Sequence, residues 1–318
     1  MDQQPGSSQH PSPKALGPRF RGDERKLKLI LGAVLALTFG SLSLAQEPAP
    51  TPSPTAADWR TVPADALLVI DTNRGRILVE MAPEAAPLHV ERMRVLARRA
   101  FFDGIVFHRV IDLFMAQTGD PLGNGEGQSP YPDLVGEFTF RRGPEMPFTP
   151  VAEPAGSMLG FMNSLPIQTQ PTALMATTAD GKVHGWGAYC PGVAGMARDE
   201  APNSANSQFF LMRQPYPALD KRYTVWGRVV SGLEVVRAIK TGDAANNGMV
   251  PSDPDIMTRV RVASDLPEDE RPVVQVLDAG SAAFQTLAQA ARTARGADFS
   301  ICDIDLPVQV SGAPAPAT

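Results

Sequence analysis

With 318 residues, 43% of them hydrophobic and 20% charged, the chain is long enough to bury a sizeable core as one large domain or two smaller ones. A formal net charge of -5, with no Lys/Arg-rich run outside the N-terminus, argues against a nucleic-acid-binding face. The two cysteines, Cys190 and Cys302, sit in no CxxC pair and beside no histidine, which argues against catalytic thiol chemistry.

The first predicted element is a targeting segment. Arg25, Lys26 and Lys28 precede the apolar run Leu29 to Phe39, and Ser43-Leu44-Ala45 places small residues where a signal peptidase reads them. Residues 1–45 are therefore expected to be a signal peptide cleaved after Ala45. The mature protein is then exported, most simply to a periplasm, with no stable membrane insertion. An uncleaved anchor is the alternative, although a span needs about twenty apolar residues and this run is shorter. A signal occupies roughly 15 to 30 residues, so residues 1–22 read as a start assigned too early. Residues 46–58 are a Pro-rich linker, with EPAPTPSPT at Glu47 to Thr55, and folded structure is expected from Trp59.

Ala66 to Asp71 and Arg76 to Met81 are apolar, β-branched runs around the turn Thr72-Asn73-Arg74-Gly75, which predicts a hairpin. Leu88 to Ala100 places Val90, Met93, Leu96 and Ala97 on one face at helical spacing. Further strands are predicted at Ile105 to Ile111, Phe114 to Gln117, Val193 to Ala197, Gln208 to Met212, Tyr223 to Val230 and Thr258 to Ala263, with a second helix at Leu233 to Lys240. Many short strands with two helices predict a mainly β fold, a closed antiparallel barrel whose ends the helices cover. Residues 268–318 form a C-terminal extension with one helix, Ala282 to Arg295, followed by a strand-like tail from Phe299 to Val310. Cys190 and Cys302 are either two buried thiols or one disulfide, the latter worth about 4 to 5 kcal/mol for so long a loop.

Four segments in the same order carry a resemblance: FFDGIVFHRVIDLFMAQTGD from Phe101 to Asp120, NGEG from Asn124 to Gly127, MARDEAPNSANSQFF from Met196 to Phe210, and LDKRYTVWGRVVSG from Leu219 to Gly232. From about Ala66 to Val262 the chain resembles the cyclophilin-type peptidyl-prolyl cis-trans isomerases. The resemblance implies a closed eight-stranded antiparallel barrel capped by two helices. It implies rotation about Xaa-Pro bonds of unfolded or flexible polypeptides, with no cofactor and no metal, in the service of folding exported proteins. A barrel that binds Pro-containing segments as a chaperone or scaffold, with little turnover, is the alternative.

By the same resemblance, Arg109 matches the catalytic arginine and Gln117 the glutamine that contacts substrate backbone and holds the arginine. Phe114, Met115, Phe210 and Leu219 match the apolar pocket for the proline ring, with Tyr223 walling it where the family often has His. Gln208 matches a second backbone-contacting glutamine, Gly125 belongs to the Gly-rich loop, and Ala197 and Arg198 match a stretch whose main chain pairs with substrate. His108 is expected to be structural, Asn203 and Asn206 to fix a loop, and His89 and His184 to lack metal partners.

The departures matter as much. Ala218 stands where many members carry Trp, which implies weak cyclosporin binding, and Arg198 and Asp199 replace smaller residues near the groove. Within the domain at 59–267, the stretch at about 138–192 is roughly twice the family's usual length. It reads as a long loop insertion packed on the barrel. Its Met146, Met158, Met162 and Met175 also suggest an adaptable client-binding surface.

Overall fold

The computed structural model describes residues 53–312, so the signal-peptide reading and the first part of the Pro-rich linker lie outside the described residues. In chain order the first half comprises β1 (Trp59–Thr61), β2 (Leu67–Thr72), β3 (Gly75–Met81), α1 (Pro87–Arg98), β4 (Arg109–Ile111) and β5 (Met115–Thr118). Then come β6 (Phe140–Arg142), β7 (Phe148–Ala152), β8 (Met158–Met162), β9 (Leu165–Thr169) and β10 (Val183–Gly187). The remainder is β11 (Val193–Met196), β12 (Phe209–Met212), β13 (Val225–Ser231), α2 (Leu233–Ala238), β14 (Met257–Val262), β15 (Pro272–Leu277), α3 (Ala282–Arg295) and β16 (Val308–Gly312). Among the described residues no helix is long and apolar enough to cross a membrane.

Eight strands form one curled antiparallel sheet in the order β14-β2-β3-β13-β11-β12-β5-β4. The expected closure into a full barrel is not a continuous ladder. The segments leading into the end strands meet through an isolated bridge, Val106 to Ile256, and single bonds such as Phe107 N–H to the Asp255 carbonyl at 2.8 Å. The stretch predicted as a strand from Ile105 enters the sheet ladder only at Arg109; ahead of it Val106 makes the isolated bridge, and its carbonyl accepts from the Thr118 hydroxyl at 2.8 Å.

The sheet is buried on both faces. Leu68, Ile70, Ile77, Val79, Phe209, Leu211 and Trp226 pack with Val90, Met93 and Leu96 of α1 in one core. Leu67, Val69, Leu78, Phe210 and Met212 face a second core, shared with the insertion and the C-terminal extension. That double burial explains why β2 reads as an unbroken apolar run instead of alternating with polar residues. Its one buried acid, Asp71, is neutralised by Arg76 at 2.6 Å.

The insertion is not a long loop but a five-stranded antiparallel sheet, β6-β10-β9-β8-β7. Asn163, at φ 54°, supplies the left-handed residue of the tight turn joining β8 to β9. Pro150 is tolerated in β7 because that strand is an edge. Met158 and Met162 are buried, Met162 within the second core, so neither offers a client surface.

The C-terminal extension is likewise built around a sheet. β15 lies between β1 and β16, so residues from both ends of the described chain share three strands. Ser281 caps α3 by accepting from the Phe284 N–H at 3.1 Å, and the Phe284 ring meets Phe161 of the insertion edge-on at 5.5 Å. Cys190 and Cys302 are disulfide-bonded across 112 residues of chain, with Cα atoms 5.0 Å apart.

Candidate active site

Register builds the site. Arg109 on β4 lies opposite Gln117 on β5, Gln117 lies opposite Phe210 on β12, and Phe210 lies opposite Gly195 on β11. Cross-strand partners project from the same face, so a cation, an amide and an aromatic ring stand in a row. Arg109 Nη1 donates to Gln117 Oε1 at 3.0 Å, and Gln117 Nε2 donates to Gln208 Oε1 at 3.0 Å. Gln208 Nε2 in turn donates to the carbonyls of Gly125 and Gly127 at 2.9 and 3.0 Å. At the other end of the row, Asn247 accepts from Arg109 Nε through its carbonyl at 2.9 Å and from Nη2 through Oδ1 at 3.0 Å.

Three of the five guanidinium donors therefore have protein acceptors, and the remaining two are left for a ligand. Partial burial pushes the Arg109 pKa down, yet an arginine keeps its charge, so the site holds a half-buried, oriented cation. Beside it, His108 is buried with neither ring nitrogen partnered. Burial outweighs the pull of Asp120 and lowers its pKa, so the ring is neutral at pH 7.

A cleft of about 440 Å³ opens over this row. Arg109, Gln117, Gly125, Ala197 and Arg198 form its polar side, and Phe114, Met115, Phe210, Leu219 and Tyr223 its apolar side. Gln208 lines an adjoining hollow of about 300 Å³ that shares Gln117, Gly125, Ala197 and Arg198. The residues singled out in the sequence thus converge. Met115 and Phe210 are buried at the bottom, Phe114 leans on Tyr216 at 4.6 Å, and Tyr223 meets Phe210 edge-on at 6.0 Å.

Arg198 is held at the rim, its guanidinium 4.6 Å from the Tyr223 ring centroid and its Nη2 donating to the Arg222 carbonyl at 3.0 Å. The Ala197 N–H is already given to the Gln208 carbonyl at 2.9 Å, so of that residue's main chain only the carbonyl can pair with a peptide. Asn203 and Asn206 bind loop backbone, accepting from the Gly136 and Ser129 N–H groups at 2.9 Å each. His89 Nδ1 pairs with Glu137 at 2.6 Å.

Asn247 and Met249 also line the cleft and were not anticipated. In sequence Asn247-Gly248 is a turn signal and nothing more. Its role depends on the Val110 N–H reaching the Gly248 carbonyl at 2.7 Å, a long-range contact that puts the turn against β4.

A curled β-sheet that sets a half-buried, hydrogen-bonded arginine beside the apolar side of an open cleft defines the site. The family model for cyclophilin-type peptidyl-prolyl cis-trans isomerases matches residues 67–262. A probable peptidyl-prolyl cis-trans isomerase of Brucella suis is 32% identical over 248 residues, spanning 74% of this chain and 95% of the relative. A peptidyl-prolyl cis-trans isomerase of Schizosaccharomyces pombe is 30% identical over 172 residues, spanning 53% of this chain and 81% of that one. The crystal structure of a cyclophilin from Hirschia baltica matches with a TM-score of 0.73 and 34% identity, covering 80% of this chain and 94% of that one. The chain belongs to the cyclophilin-type peptidyl-prolyl cis-trans isomerases and is an enzyme of that class.

Proposed function

We propose that the cleft binds Xaa-Pro segments of unfolded or flexible polypeptides and lowers the barrier to rotation with Arg109 and Gln117 as its catalytic residues. The observation that carries this reading is the hydrogen-bonded row from Asn247 through Arg109 and Gln117 to Gln208 beside the apolar cleft. The uncatalysed rotation faces a barrier of about 20 kcal/mol because the amide loses its partial double bond. At the twisted state the proline nitrogen is pyramidal and regains a lone pair. A guanidinium N–H aimed there stabilises that state more than either planar isomer, which is the differential binding that catalysis requires. Phe114, Met115, Phe210, Leu219 and Tyr223 take the proline ring and exclude water, while Gln117, Gln208 and the Ala197 carbonyl fix the flanking backbone.

The setting is proposed to be an exported one, periplasmic in the simplest case, with folding of other exported proteins as the task. The Cys190–Cys302 disulfide supports an oxidising compartment. Ala218, exposed in a short turn, supports weak cyclosporin binding because it offers no side-chain donor.

The test is isomerisation of a short Xaa-Pro peptide by the purified protein beside Arg109→Ala. Turnover faster than the uncatalysed tens of seconds, lost in the variant, is expected. A folded wild type without turnover refutes the catalytic reading.

A further inference from the structure

Tyr189 lies behind the cleft and touches the supports of each apolar wall. Its ring stacks on Phe210 at 5.8 Å with the planes 24° apart. Its hydroxyl donates to the Thr224 carbonyl at 3.3 Å, next to Tyr223. Its N–H donates to Asp220 Oδ1 at 3.0 Å, next to Leu219, and its carbonyl accepts from the Tyr216 N–H at 2.8 Å. Tyr216 is the ring against which Phe114 leans. Phe210 thus touches Tyr189, Tyr223 and Leu219 each adjoin a residue that bonds it, and Phe114 packs on Tyr216, which also bonds it.

Tyr189 is 1% exposed and does not reach the cleft surface, so it has no part in contacting substrate. It comes from outside the curled sheet, just past the end of the inserted sheet. The next residue, Cys190, is covalently tied to Cys302 of the C-terminal extension. On the opposite side the extension is pinned to the insertion by the Phe161–Phe284 pair and by Arg292 Nη1 donating to the Val151 carbonyl at 3.0 Å.

We infer that Tyr189 is a positioning residue for the proline pocket, and that the insertion and the extension, joined at Cys190–Cys302, act together as the mount that holds it. This rests on the cleft being the isomerase site. Loosening the mount widens the cleft and weakens its grip on both planar isomers and the twisted state alike, so affinity suffers more than the chemical step.

The experiment compares wild type, Tyr189→Leu, Tyr189→Phe and Cys302→Ser with one Xaa-Pro peptide, each well below its own melting temperature. Tyr189→Leu is expected to raise KM about tenfold while kcat changes by less than about threefold, the split that marks lost uniform binding. Tyr189→Phe keeps the ring and is expected to stay within about twofold of wild type. Cys302→Ser is expected to raise KM in the same direction as Tyr189→Leu. A folded Tyr189→Leu with wild-type KM overturns the inference. Should that variant not fold, an unchanged KM in Cys302→Ser overturns it instead. If folded wild type shows no turnover, the isomerase reading is what has failed. Calorimetric affinity for the same peptide then replaces KM, with the same outcomes deciding the role of Tyr189.

Discussion

Asn247 accepts from Arg109 twice, through its main-chain carbonyl at 2.9 Å and through Oδ1 at 3.0 Å. Because both acceptors belong to one left-handed residue, at φ 52°, the guanidinium plane is fixed as well as its position. Asn247→Ala removes the side-chain acceptor and leaves the carbonyl. We expect kcat to fall by about tenfold with KM little changed, because the arginine is mis-aimed while the apolar cleft is intact. Steady-state kinetics on a Xaa-Pro peptide decides it, and an unchanged kcat would show that Gln117 and the main-chain carbonyl at 247 together are enough to aim the arginine.

Gly195 is small for a reason visible on both sides. A Cβ there would lie 2.5 Å from Phe210 Cζ and 2.6 Å from the Tyr189 hydroxyl. Gly195→Ala should therefore displace the Phe210 ring, lowering kcat/KM by about tenfold and stability by about 1 to 3 kcal/mol. Denaturant unfolding and peptide turnover measure the two effects. A variant with wild-type values for both would mean that the neighbouring rings yield without cost.

Burial raises the Asp220 carboxyl pKa from 3.8 to about 6, despite the N–H bond from Tyr189. The folded state then holds this proton more tightly than the unfolded chain. Its contribution favours folding fully below about pH 4 and is lost as pH rises through about 6. Asp220→Asn, neutral at every pH, should melt higher than wild type above pH 6, with the two melting curves converging near pH 4. Calorimetric melting temperatures across that window test it. Parallel profiles for the two proteins would rule out the raised pKa.

Ala218 lies exposed in the short turn Pro217–Leu219, beside Leu219 of the cleft. Ala218→Trp restores an indole N–H at the position where many family members carry one. Inhibition by cyclosporin is expected to tighten about tenfold, the worth of one hydrogen bond with some added apolar contact. An inhibition titration with equal potency against both proteins would remove the indole from the explanation.

The site was more legible than the scaffold behind it. Arg109, Gln117, Gln208 and Phe210 stand in motifs that survive as contiguous text, and their cross-strand register follows once the strands are placed. Asn247 was not legible because its role is set by a loop meeting β4 across more than a hundred residues. The hairpin, α1 and α3 announced themselves by periodicity. The inserted sheet did not. Its strands carry Pro150, Pro166, Gly160 and Gly185, residues that ordinarily punctuate loops, and β9 is buried on nearly every position, so no alternation marks it. β1 and β15 are short or lack a neighbour in sequence to pair with, and only the folded chain brings Trp59 opposite Leu277.

That last pairing constrains the order in which the molecule can be assembled. Thr61 and Gln275 lie opposite each other in a sheet whose third strand ends at Gly312. A chain emerging from its N-terminus can form the β2–β3 hairpin and α1 early, since those contacts are local. Residues 59–61 must wait for almost the whole remaining chain before they find a partner. Large loop closures are slow, so β1, β15 and β16 are expected to zip up in the last stage of folding. Until then the apolar backs of β2 and β13 lie uncovered, and for that interval an isomerase of this design is itself aggregation-prone.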